Sequence, residues 1–347
     1  METVLFLAPV GPDGDLGRSA LEGLSAAKAL AQGLGGAALA VGLWGDDPKA
    51  AADRIAGCAA ARFLAVKGPQ FAESRYGTDA LAAEALCRAS QATLVVAGAT
   101  SRTSRILAGV AHRMGGRIDS HLTGVSVEGG KISVTRWYYR QRMEAVLTRT
   151  QRPWVMLVDQ GCSPAWAGPV GSAVMETVAA EAGAALLRTK VSGLRTAASG
   201  EQTIRPDAAL LLVAGAGWTK KQADGAIHPK EAQDAILGFL RLTQASLGGS
   251  KSVVDISGAG QAVLPFMTHM NQIGQTGATP RHPKGLATCC HGEEPHVVGW
   301  RFINERRAVN LDPGCGWSRG KADVVYVADA FQVMAKVNAL LAEKKAV

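Results

Sequence analysis

The sequence predicts an α/β protein of two doubly wound domains, each built on a parallel sheet flanked by helices. Three observations carry this reading. Short apolar β-rich runs alternate with Ala-rich helical patterns in residues 1–160, the alternation resumes at Ala208, and a stretch rich in Gly, Pro and Ser lies between. Alternation of this kind needs crossover helices and therefore parallel strands. The expected organisation is an N-terminal domain at 1–160, a linker or arm at 161–206, and a second domain at 207–347.

The first domain opens with a strand at Val4–Ala8, then a helix over Leu21–Leu34, a strand at Ala38–Leu43, a helix from about Pro48 and a strand at Phe63–Val66. A helix around Asp79–Ala89, a strand at Leu94–Ala97 and a helix near Arg105–Met114 continue the series. Four strand-like runs follow without helices between them: Thr123–Val127, Lys131–Trp137, Glu144–Thr150 and Val155–Val158. They read as antiparallel additions that close the domain. Val174–Leu187 is ambiguous between helix and extended arm. The second domain reads as strand Ala208–Val213, helix Pro229–Gln244, strands Leu286–Cys290, Arg307–Leu311 and Val324–Val327, and a terminal helix Phe331–Ala342.

With 47% hydrophobic and 19% charged residues over 347 positions, the chain can bury two ordinary cores. Its net charge of +8 is dispersed, which favours a basic surface that faces an acidic protein partner, or no partner at all, over nucleic acid. No apolar stretch is long enough to cross a bilayer, and Val4–Val10 is one strand long and lacks signal-peptide flanks, so a cytoplasmic location is expected. The six cysteines form no C-x-x-C or ligand cluster and read as reduced thiols.

Doubly wound sheets present ligands to the carboxyl ends of their strands, so the loops after the strands are the places to look. Gly215-Ala216-Gly217-Trp218 is a glycine-rich turn without the third glycine of a dinucleotide fingerprint. Leu247-Gly248-Gly249-Ser250-Lys251-Ser252 sets two glycines before a hydroxyl and a cation, a combination suited to an anion but lacking Walker spacing. In Asn271-Gln272-Ile273-Gly274-Gln275-Thr276-Gly277, polar side chains bracket two glycines that let a flat ring approach the backbone. In His291-Gly292-Glu293-Glu294-Pro295-His296, imidazoles flank an acidic turn. Metal capture there is conceivable, but a solvated loop is the simpler reading.

The run from Asn271 to Ala330 resembles the FAD-binding domain of electron transfer flavoprotein alpha subunits. In that family a Q-V-G-Q-T-G loop, an S-G-A-I-Q-H turn, an A-I-N-K-D-P strand end and a final V-A-D follow one another. Their counterparts are Gln272–Gly277, His291–His296, Ala308–Pro313 and Val327–Asp329. Ala97–Arg113 is similar to the family's A-P-A-T-T-F-G-K-N segment, and Arg136–Thr150 to the strand pair that ends its first domain.

The resemblance implies a C-terminal Rossmann-like FAD domain, a beta-subunit partner contacted by the N-terminal domain, and electron relay from a dehydrogenase or other oxidoreductase to a downstream acceptor. It makes the chain an electron carrier rather than a substrate-converting enzyme. It sets Thr276 near the flavin N5, with Gln275, Gly274 and Gly277 beside the ring and Gln272 and Ile273 leading into the loop. His291, Gly292 and His296 belong to the turn at the pyrimidine edge. Ser250 and Lys251 match a Ser-Arg pair near the pyrophosphate, and Asn310 and Asp329 match positions on the ribose and adenine side. No metal is implied.

Two departures matter. The family's G-R-G is Gly215-Ala216-Gly217 here, which removes an arginine expected over the flavin, and Pro295 replaces a glutamine and an amide donor. An alternative is therefore a flavin-less structural subunit of a dehydrogenase–flavoprotein complex. A third reading, an independent nicotinamide- or metal-dependent enzyme, lacks both a complete fingerprint and a catalytic constellation.

Overall fold

A computed structural model describes residues 2–138, 143–193, 204–205, 208–255, 264–273, 278, 280, 282–288, 303–312 and 322–346. The chain divides into two compact units, Met1–Leu194 and Arg195–Val347.

In the first unit, β1 (Thr3–Pro9), β2 (Ala38–Gly45), β3 (Arg62–Lys67) and β4 (Leu94–Gly98) alternate with α1 (Arg18–Gly33), α2 (Lys49–Arg54), α3 (Tyr76–Ser90) and α4 (Ser101–Arg113). Then come β5 (Arg117–Glu128), β6 (Lys131–Tyr138), β7 (Met143–Leu147), β8 (Trp154–Val158) and β9 (Met175–Thr177). They form one sheet in the order β7-β6-β5-β8-β4-β1-β2-β3-β9. Successive side chains of a strand point to opposite faces. Val4 and Phe6 accordingly join Leu24 and Leu30 of α1 in one core, while Leu5 and Leu7 join Leu86 of α3 and Ile106 and Val110 of α4 in the other.

The antiparallel expectation for the four late strands holds only for the β5–β6 and β6–β7 pairs. β8 instead lies between β4 and β5 and is parallel to both. All five of its residues are buried, which is the mark of a strand covered on both faces inside a parallel sheet. The arm beyond it is extended as far as β9 and then winds into a short 3₁₀ turn at Ala184–Leu187. Trp166 and Gly171 donate backbone bonds to the carbonyls of Leu21 and Asp53, Ala173 N donates to the Asp53 carboxylate, and β9 then pairs parallel with β3.

The second unit contains β10 (Leu210–Ala214), α5 (Pro229–Thr243), β11 (Ser246–Gly249), α6 (Lys251–Asp255), β12 (Lys284–Thr288), β13 (Glu305–Asn310), β14 (Val324–Val327) and α7 (Ala330–Ala346). Its five strands are all parallel, in the order β11-β10-β12-β13-β14. α5 and α7 pack side by side, joined by a 2.9 Å bond from Asn338 Nδ2 to the Ala235 carbonyl. β11 is a strand where the sequence suggested only a loop. Its glycines are packing sites: a Cβ on Gly248 would stand 2.8 Å from Ile273 Cγ2, and one on Gly249 2.3 Å from Met267 Cε.

Among the described residues no helix is long and apolar enough to cross a membrane. Cys58 and Cys87 are buried free thiols. Cys289, Cys290 and Cys315 lie outside the described residues.

Candidate functional site

In the second unit, the chain runs from β10 outward to β11 and then returns to β12 on the other side of β10. The crevice between the carboxyl ends of β10 and β12 is thus the topological switch point, the usual ligand position of an open α/β sheet. Register aligns the strand ends: Ala214 pairs with both Gly249 and Thr288, Thr288 with Val309, and Asn310 with Val327.

Six of the residues expected at a binding site come to this edge. Ser250 follows β11 directly. Its backbone N–H donates to Ala214 O at 3.0 Å, and its Oγ accepts from Val253 N at 3.3 Å, which caps the short α6. Lys251, the first residue of α6, is exposed beside it.

Gln272 forms an isolated bridge with Gly249, and Ile273 N donates to Gly249 O at 3.1 Å, so the start of the expected ring-binding loop is pinned against β11. Gln272 and Ile273 are both buried. Asn310, also buried, ends β13 and donates from Nδ2 to Asp312 O at 2.9 Å. Asp329 follows β14, and its Oδ1 accepts from Phe331 N at 2.8 Å and Gln332 N at 3.2 Å, capping α7. Its Oδ2 takes part in neither bond. Gly274, Gln275, Thr276, Gly277, His291, Gly292 and His296 lie outside the described residues.

The loop after β10 is tighter than its glycines suggested. Gly215 N donates to Thr288 O at 2.9 Å, and Ala216–Thr219 wind into a 3₁₀ turn. This turn buries Trp218 completely, with its Nε1 donating to Thr288 Oγ1 at 2.9 Å and its ring 4.5 Å from that of Phe331. Sequence reasoning missed both Trp218 and Thr288. Their pairing depends on β12 lying next to β10, which no local pattern announces.

As a donor set, the edge suits a ligand with an anionic end and hydroxyl groups. Lys251 supplies a cation beside α6, Asp329 a carboxylate oxygen, and Asn310 an amide. No group of three or more His, Cys, Asp or Glu among the described residues is placed to hold a metal.

The first unit has its own switch point, because β1 is flanked by β2 and β4. A cavity of about 280 Å³ opens there between the ends of β1 and β4 and the starts of α1 and α4. Two arginines line it, and both are neutralised. Arg102 grips the buried Asp79 at 2.6 and 3.0 Å, and Arg18 pairs with Glu22 at 2.9 Å. The sequence signal that went unread is the run Gly11-Pro12-Asp13-Gly14-Asp15-Leu16-Gly17 between a strand and a helix.

Residues 4–184, more than half of the chain, match the family model described as electron transfer flavoprotein domain. None of the curated proteins compared matches the chain.

Proposed function

The chain belongs to the electron transfer flavoprotein domain family, and from that premise we propose that it is an alpha subunit holding FAD on its second unit and working with a beta subunit. FAD, when bound, accepts electrons from a dehydrogenase and releases them to a downstream acceptor. The observation that carries this reading is the convergence of Ser250, Lys251, Gln272, Ile273, Asn310 and Asp329 on one carboxyl edge.

The chain's own part is to bind and orient. Lys251 offers a point charge to a phosphate, though not the bidentate fork of an arginine. Asp329 Oδ2 accepts from a sugar hydroxyl while Oδ1 stays committed to the cap of α7. Gln272 and Ile273 are fixed on β11, and by the resemblance the Gly274–Gly277 segment borders the ring, with Thr276 and His296 facing its N5 and pyrimidine edge.

A flavin-less subunit is the second reading, and one observation favours it: Ala216, where the resemblance places an arginine, is fully buried. The deciding experiment is the visible absorption spectrum of the chain co-purified with its beta partner. We expect oxidised-flavin bands and about one FAD per heterodimer, held at the carboxyl edge of the second unit. A colourless complex that takes up no FAD from excess would overturn the reading in favour of the structural subunit.

A further inference from the structure

The segment between β10 and α5 folds on itself. Gln222 N donates to Ala226 O at 2.8 Å, Gly225 N to Gln222 O at 2.9 Å, and Ala226 N to Asp224 Oδ1 at 2.9 Å. The Gln222 amide ties this turn back to the carbonyls of Gly217 and Lys220 at 3.0 and 2.7 Å. At its far end His228 is the N-cap residue of α5, yet it makes no side-chain cap bond to the helix backbone. The imidazole instead bridges two carboxylates. Its Nε2 is 2.7 Å from Asp224 Oδ2 in the loop, and its Nδ1 is 3.4 Å from Glu231 Oε1 in the first turn of α5. From α7, the ring that meets it is Phe331, edge-on with centroids 6.3 Å apart. Phe331 in turn packs on Trp218, where the loop begins.

We propose that His228 is a pH-operated latch on the loop 219–228, closed while its imidazolium bridges Asp224 and Glu231 and released when the ring loses its proton. A neutral imidazole can donate from only one nitrogen, so one of the two carboxylates loses its partner on deprotonation. The two acids hold the imidazolium above its ordinary 6.5, with the Asp224 hydrogen bond as the main cause, while Asp224 sits below its own usual range. A raised histidine stabilises the closed form fully below 6.5, and the contribution fades as pH rises through the higher folded value. The loop ends on Phe331, beside the Asp329 cap and against Trp218, so its release loosens the carboxyl edge of the second unit. The inference stands whether or not a flavin sits there.

The test is hydrogen exchange of the full chain, resolved to peptides covering 219–228 and corrected for intrinsic rates, at pH values on either side of the histidine titration. In the wild type, protection of these peptides should fall about two- to fivefold from the acid to the alkaline side, the size expected of one exposed ion pair. His228→Gln should abolish that dependence, and Asp224→Asn, which leaves the ring in place, should reduce it. An unchanged wild-type loop across the range, or the same dependence in His228→Gln, overturns the proposal. An NMR titration of His228 at or below 6.5 in the folded chain would do so as well.

Discussion

Asp119 stands on β5 with 1% of its surface exposed, and three residues meet its carboxylate. Arg149 reaches it through Nε and, at 2.8 Å, through Nη2, Trp154 Nε1 donates at 2.9 Å, and Arg136 Nη1 lies 3.6 Å away. Burial alone would raise this carboxyl, but the bonds from Arg149 and Trp154 outweigh it and hold the group below its ordinary 3.8. A depressed carboxylate contributes stability at neutral pH that is lost as pH falls through the folded value. Asp119→Asn should therefore cost about 2–4 kcal/mol at pH 7, because it leaves the buried Trp154 N–H and the half-buried Arg149 and Arg136 guanidinium groups without their anion. It should also flatten the acid limb of the stability curve. Urea unfolding followed by tryptophan fluorescence measures both; a cost below about 0.5 kcal/mol would show the network to be no more than a surface pair. Cys87 is the opposite kind of residue. Burial pushes its thiol up to about 12, which makes it a small apolar filler of the core rather than a redox group.

For whole elements, the decisive contact of the first unit is α1 against β4. A Cβ on Gly98 would stand 2.0 Å from the Ser19 carbonyl oxygen, and one on Gly23 2.7 Å from Gly98 N. Both obstacles are backbone and cannot swing aside, so helix and strand touch only because neither carries a side chain there. Gly98→Ala should lower the stability of the first unit by about 3 kcal/mol or more, the upper range for overpacking. Gly183→Ala, with open space around its Cβ, should stay within about 0.5 kcal/mol. Thermal unfolding midpoints separate the two, and equal shifts would remove α1–β4 contact as the reason. Elements such as β1, β2 and β4 were legible because apolar runs bounded by turn residues leave few alternatives. The direction of β8 was not, since the local pattern of Trp154–Val158 is the same in either orientation and only its neighbours, β4 and β5, decide. β11 was hidden because Gly248 and Gly249 look like a loop until Ile273 and Met267 are seen packed against them. The same holds at the site: motif order marked Ser250, Lys251, Asn310 and Asp329, whereas Trp218 and Thr288 acquire their meaning from strand order.

For the whole molecule, the division into Met1–Leu194 and Arg195–Val347 turns the cofactor question into one of location. A ligand that binds only the folded form stabilises what it touches by mass action, about 2.7 kcal/mol when its free concentration is a hundred times Kd. Bound at the carboxyl edge of the second unit, FAD should therefore slow exchange by up to about a hundredfold in peptides of β10–β14 that open through unfolding of that unit. Peptides of β1–β4 should change little, since none of the residues proposed to hold FAD belongs to the first unit. The comparison is internal to one sample, so errors of concentration or temperature fall on both units alike. Protection confined to the first unit would instead place the ligand in the cavity between the ends of β1 and β4, where Arg18 and Arg102 are already paired with Glu22 and Asp79. Protection in neither unit, with FAD in large excess, would overturn the flavin site proposed for the second unit and make Ala216, where the resemblance places an arginine, the first position to change.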